Sequence, residues 1–176
     1  MRLIGHAAVF NSRSVDLGGF REIIAPGAFA RTISDGHAIF AVHHHNMADL
    51  LGSSRSRTLR LSEDREGLHF ELTLPESSLG RDIHELVKRG DLTSMSFSFY
   101  VNGAAGEEWD ETSSGEIVRT LKDVTLLEVS TVALPAYPAS SVSARAAVQH
   151  DQAVQGDQAA RNRMVRRYMA ARLQAA

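Results

Sequence analysis

The chain has 176 residues, enough for one domain with a core of ordinary size and a tail left over. It contains no cysteine, which excludes disulfides, thiolate nucleophiles and thiolate-rich zinc sites, and no apolar run approaches the roughly 20 residues of a bilayer span. The formal net charge of −2 hides an asymmetry: residues 145–176 carry six arginines against Asp151 and Asp157, a balance of +4, which leaves −6 for everything before them.

Met1 to His6 lacks the longer apolar stretch of a secretory signal, so a soluble, unexported protein without a membrane partner is expected. Arg2 to Phe10 alternates loosely and reads as an opening strand, followed by a polar loop from Asn11 to Gly19 and a second strand from Phe20 to Ile24. Pro26, with Phe29 and Ile33 one turn apart, fits a short helix that Gly36 ends. Ala38 to His45 reads as a strand and Asn46 to Arg55 as a loop. Thr58 to Leu61 and Gly67 to Pro75 form a hairpin, with Leu68, Phe70, Leu72 and Leu74 on one face and His69, Glu71 and Thr73 on the other.

Leu79, Ile83, Leu86 and Val87 give helical spacing through Gly80 to Arg89, with Ser77 or Ser78 as cap and Gly90 as stop. The next strand, Leu92 to Phe99, puts Met95, Phe97 and Phe99 on one face and Ser94, Ser96 and Ser98 on the other. Asn102 to Gly115 is a polar turn region, and Ile117 to Val132 carries one or two strands before Pro135 and Pro138 forbid regular pairing. Many short strands with two helices suggest a β-barrel or α+β domain. From Ser143 onward the composition turns to Ala, Gln, Val and Arg. There Val165, Tyr168, Met169 and Arg172, with Leu173, fit a short helix that either docks on an acidic partner or is simply solvated.

Three positions carry possible chemistry. A serine on a rigid strand is a well-placed nucleophile, yet pattern alone does not choose among Ser94, Ser96 and Ser98, and a polar outer face is the commoner reason for such serines. In His43-His44-His45 a strand would point His44 away from its neighbours, so the three cannot converge on a metal, and no His-Glu-x-x-His pattern occurs. An imidazole titrating near neutrality suits the base of a serine, and either His45 or His43 could serve. Glu128 lies in an otherwise apolar strand, where a carboxylate needs a partner such as an imidazolium unless it faces solvent at an edge.

Five motifs in order, Gly5-His6-Ala7-Ala8-Val9-Phe10-Asn11, Glu22-Ile23-Ile24-Ala25-Pro26-Gly27-Ala28-Phe29, His45-Asn46 with Leu51-Gly52, Gly90-Asp91-Leu92-Thr93-Ser94-Met95-Ser96-Phe97 and Leu127-Glu128-Val129-Ser130 with Pro135-Ala136, resemble the prohead proteases of tailed bacteriophages. The resemblance implies a serine endopeptidase that works inside the assembling prohead in the host cytoplasm, cleaving scaffolding segments from the major capsid protein and itself. It needs no cofactor or metal. It also implies distant similarity to the herpesvirus assemblins, hence a mainly β, α+β fold: an antiparallel β-barrel flanked by a few helices. Residues 1–142 would form the protease domain, and residues 143–176 a targeting or scaffold-like tail open to self-cleavage.

By the same resemblance the base falls on His45, the nucleophile on Ser96 and the third member on Glu128, although the herpesvirus branch uses a second histidine there. His43 and His44 crowd the expected base, and Ser98 stands where the family commonly has glycine. The alternative class is a non-enzymatic assembly protein that keeps the protease-like fold. Self-association is left open, and a nucleic-acid-binding module is disfavoured by the acidic body and the scarcity of aromatic residues in the tail.

Overall fold

A computed structural model describes residues 1–144. The tail and its expected helix lie outside the described residues. Eleven strands and two α-helices follow in the order β1 (Arg2–Val9), β2 (Phe20–Ile24), α1 (Ala30–Ser34), β3 (Phe40–His43), β4 (Asn46–Ser53), β5 (Leu59–Glu63), β6 (Gly67–Thr73), α2 (Ser78–Arg89), β7 (Ser94–Val101), β8 (Glu107–Glu111), β9 (Ile117–Leu121), β10 (Val124–Val132) and β11 (Ser141–Ala144). They form three sheets, ordered β11-β1-β6-β5, β4-β3-β10-β7 and β2-β9-β8. The fold is therefore mainly β with few helices. The expected closed antiparallel barrel does not appear in the ladders: each sheet has two ends, and β3/β10 and β2/β9 run parallel.

The core follows the strand alternation. Leu68, Phe70, Leu72 and Leu74 are all buried, as the period-2 pattern of β6 requires, and they join Leu3 and Leu59 from the flanking strands. Met95, Phe97 and Val129 add the buried face of the second sheet. Helix α2 starts on Ser77, whose Oγ accepts from the Gly80 N–H at 3.1 Å, and stops on Gly90 at φ 81°, the left-handed geometry in which glycine carries no Cβ penalty. It buries Ile83 and Val87.

Several elements depart from the expectations. The helix after Pro26 begins only at Ala30. The expected loop from Asn46 is the edge strand β4, with Met47 and Leu50 exposed, so it shows no apolar alternation to read. The expected polar turn region contains β8, Glu-Glu-Trp-Asp-Glu, an edge strand held across to β9 by charge. There Arg119 Nε donates to Glu107 at 2.5 Å, its guanidinium lies 5.4 Å from the Trp109 ring centroid, and Lys122 pairs with Glu108. After the prolines the chain returns to pair β11 with β1.

One buried ionic cluster ties the third sheet to the segment after β10. Glu22 on β2 is 3 % exposed; Arg119 donates to one of its oxygens at 2.9 Å and the Tyr137 hydroxyl donates to the other. Burial pushes the Glu22 carboxyl above its usual range, against the pull of Tyr137 and Arg119. The Tyr137 ring stacks on Phe97 with centroids 5.2 Å apart, so the cluster abuts the strand that carries the serines.

Candidate active site

The candidate site is built on the second sheet, where β10 is flanked by β3 in parallel and β7 in antiparallel register. Opposite Glu128 stands Ser98, opposite Ser130 stands Ser96, and opposite Val132 stands Ser94. Cross-strand partners share a face, so the three serines, Glu128 and Ser130 lie on one side while Met95, Phe97 and Val129 fill the core on the other. The serine side is not the wet face that its composition suggests: Ser94, Ser96, Glu128 and Ser130 are all buried, and only Ser98 is partly open.

His45 reaches this face from a turn. His43 pairs with Thr131 on one side and with Asn46 on the other, leaving His44 and His45 as a two-residue hairpin loop with φ 49° and 59°. Positive φ at both central residues is the pattern of a type I′ turn, whose twist matches that of the flanking strands. Left-handed backbone is unfavourable for residues other than glycine, with Asn, Asp and His among the better tolerated. Two bonds to β10 hold it: the His44 N–H donates to the Thr131 carbonyl at 3.0 Å, and the His45 N–H donates to Ser130 Oγ at 3.0 Å.

From that turn His45 Nδ1 lies 2.6 Å from Glu128 Oε1, with the imidazole 30 % and the carboxylate 7 % exposed. Two hydroxyls complete the carboxylate's surroundings. Ser98 Oγ donates to Oε1 at 2.6 Å and Ser130 Oγ donates to Oε2 at 2.6 Å. Burial, the largest influence, pushes the Glu128 carboxyl up, but the bonds from His45, Ser130 and Ser98 together outweigh it and hold the group below its usual range. An ionised Glu128 accepts from Nδ1–H and thereby fixes the neutral tautomer of His45 with its lone pair on Nε2.

The strand expectation for the three histidines fails at the turn. His43 and His45 do not share a face: His43 Nδ1 lies 2.9 Å from Thr131 Oγ1, on the side of β10 opposite Glu128. Burial, reinforced by the neighbouring His44, lowers the His43 pKa. The structure thus brings together His45, Glu128, Ser98 and Ser130, and leaves His43 outside the group. It does not bring Ser96 into hydrogen bond with His45; among the described residues Ser96 Oγ has no hydrogen-bond partner. Ser98 is nearer, 3.3 Å from His45 Nδ1, but it stands on the nitrogen turned to Glu128, whereas a nucleophile must meet Nε2. Ser130 was not singled out by sequence reasoning; the signal was the two-residue step from Glu128 to Ser130 in a strand, which puts both on one face.

An imidazole held by a buried carboxylate beside a row of strand-borne hydroxyls can deprotonate an alcohol and return the proton to a leaving group, the chemistry of a serine hydrolase. The family comparison makes the class specific. The family model described as Caudovirus prohead serine protease matches residues 1–154, and the chain belongs to that family of serine proteases. No curated protein matches. Among solved structures, the crystal structure of KSHV protease in complex with a hexapeptide phosphonate inhibitor is similar at 11 % identity and a TM-score of 0.44, covering 97 % of this chain and 76 % of that one.

Proposed function

We propose that the chain is the capsid-maturation endopeptidase of a tailed phage, with Ser96 as nucleophile, His45 as general base and then general acid, and Glu128 as the group that orients His45. The observation that carries the reading is the 2.6 Å bond between His45 Nδ1 and buried Glu128, on the face to which Ser96 also belongs. With Nδ1 engaged, Nε2 takes the proton of Ser96 Oγ as the oxygen attacks the scissile carbonyl, and returns it to the departing amine. The acyl-enzyme is then hydrolysed by water activated at the same nitrogen. Catalytic hydrogen bonds commonly tighten only when substrate binds, which accommodates the free Ser96 hydroxyl.

The substrate is the scaffolding segment of the major capsid protein, met inside the assembling prohead in the host cytoplasm, and the enzyme's own tail is a second substrate. The tail after Ala144, residues 145–176, recruits the enzyme to the shell through its basic charge; deletion of that segment with undiminished incorporation into proheads would sink that part. The direct test is co-expression with the cognate major capsid protein, comparing the native chain with Ser96→Ala by intact mass spectrometry. Trimming of the capsid protein only when Ser96 is present is the expected result, and equal trimming by both chains rules Ser96 out.

A further inference from the structure

Glu128 receives three donors, and two of them come from side chains outside the proposed triad. Ser98 Oγ donates to Oε1, the oxygen that also faces His45, and Ser130 Oγ donates to Oε2, so both carboxylate oxygens are pinned in a site 5 % exposed. Ser130 is itself fully buried, and its oxygen also accepts the backbone N–H of His45 at 3.0 Å. One hydroxyl therefore touches the carboxylate and the main chain of the base at once. It does so at the residue whose backbone is held at φ 59°.

We propose that Ser98 and Ser130 are positioning residues of this protease: together they fix Glu128 as an ionised, correctly turned acceptor for His45, and Ser130 additionally locks the His44–His45 turn against β10. The inference rests on the triad reading above. A buried carboxylate with a single partner would take up a proton far more readily, and a protonated Glu128 cannot hold the Nδ1–H tautomer. Release of the His45 N–H would free a non-glycine residue to leave the left-handed region and carry Nε2 away from Ser96. The two serines thus differ in kind. Ser98 acts on the charge and touches the imidazole only at Nδ1, 3.3 Å away, while Ser130 acts on the charge and on the backbone that places the base.

The test uses the full-length chain in a Ser96→Ala background, where self-cleavage is blocked, and follows the downfield Nδ1–H resonance of His45 on acidification by proton NMR. Adding either Ser98→Ala or Ser130→Ala should move the pH at which that resonance is lost upward by about one unit, the scale of one hydrogen bond to a charged group. With Ser96 restored, Ser130→Ala should lower kcat on capsid protein about tenfold at unchanged KM, and Ser98→Ala should lower it less. Titrations superimposable on that of the parent, for both variants, would overturn the proposal; Ser98 is partly exposed on an edge strand, so its variant tests the idea even if Ser130→Ala fails to fold. A different result strikes the triad reading itself: Glu128→Gln cleaving capsid protein at the native rate would remove Glu128 from the chemistry while the titration still reports on the clamp.

Discussion

Replacing Tyr137 with Phe removes one oxygen from the buried cluster around Glu22 and leaves the rest standing. The ring that stacks on Phe97 is retained and Arg119 still donates to the other carboxylate oxygen, so no cavity larger than a hydroxyl opens. The lost bond ran to an ionised group, which sets the penalty at about 1.5–3 kcal/mol near neutrality. Its pH dependence follows from the raised pKa of Glu22. Ionisation is harder in the folded than in the unfolded chain, so the stability that Glu22 contributes is complete below about pH 4.5 and is lost as pH rises through the folded value. Tyr137→Phe raises that value further and deepens the loss on the alkaline side, whereas below pH 4.5 the deleted bond ran to a neutral acid and is worth about 1 kcal/mol. Urea unfolding at pH 7 and pH 4, compared at constant m, should show the difference shrinking on acidification. Equal penalties at the two pH values would refute the reasoning. Activity per folded molecule should stay within about threefold, since Tyr137 reaches the serine strand only through its ring.

Glu128→Gln should lower kcat on capsid protein by about 10⁴ with KM little changed, the scale seen when a triad carboxylate is made an amide, and a pre-steady-state assay separates this from a binding defect. His43→Ala should leave kcat within about threefold and cost about 1 kcal/mol through its bond to Thr131; a large fall in kcat would make His43 the base. Gly67→Ala should destabilise by about 1–3 kcal/mol in thermal unfolding, because a Cβ there would sit 1.9 Å from the Ala8 carbonyl oxygen at the bulge of β1 against β6.

Elements whose burial writes itself into a period were legible in the sequence. The alternation of β6, the Ser77 and Gly90 caps of α2 and the two-faced serine strand all appear in the structure where the residues put them. Elements held by something other than their own pattern were not. Strand β4 is an exposed edge, β8 is four acids and a tryptophan held by Arg119 and Lys122, and β11 follows two prolines. The hairpin at His44–His45 shows the limit most plainly. Nothing in three consecutive histidines announces two left-handed residues, yet that turn decides which imidazole faces Glu128 and sends His43 to the other side. The pairing of His45 with Glu128 came from family resemblance rather than pattern, and the parallel register of β3 on β10 that sets it up is a tertiary choice no local window records.

That register has a consequence in time. The carboxylate and the imidazole are 83 positions apart in the chain, and β10 is both the last strand to join the second sheet and its bridge between β3 and β7. A ribosome that has released everything up to the serine strand has made a hydroxyl and an imidazole with nothing to align them. Long-range pairings of this sort form late, after shorter contacts have been made. If Glu128 orients His45 as proposed, the protease is inert through most of its own synthesis, and becomes able to cut only when its final central strand slides into place.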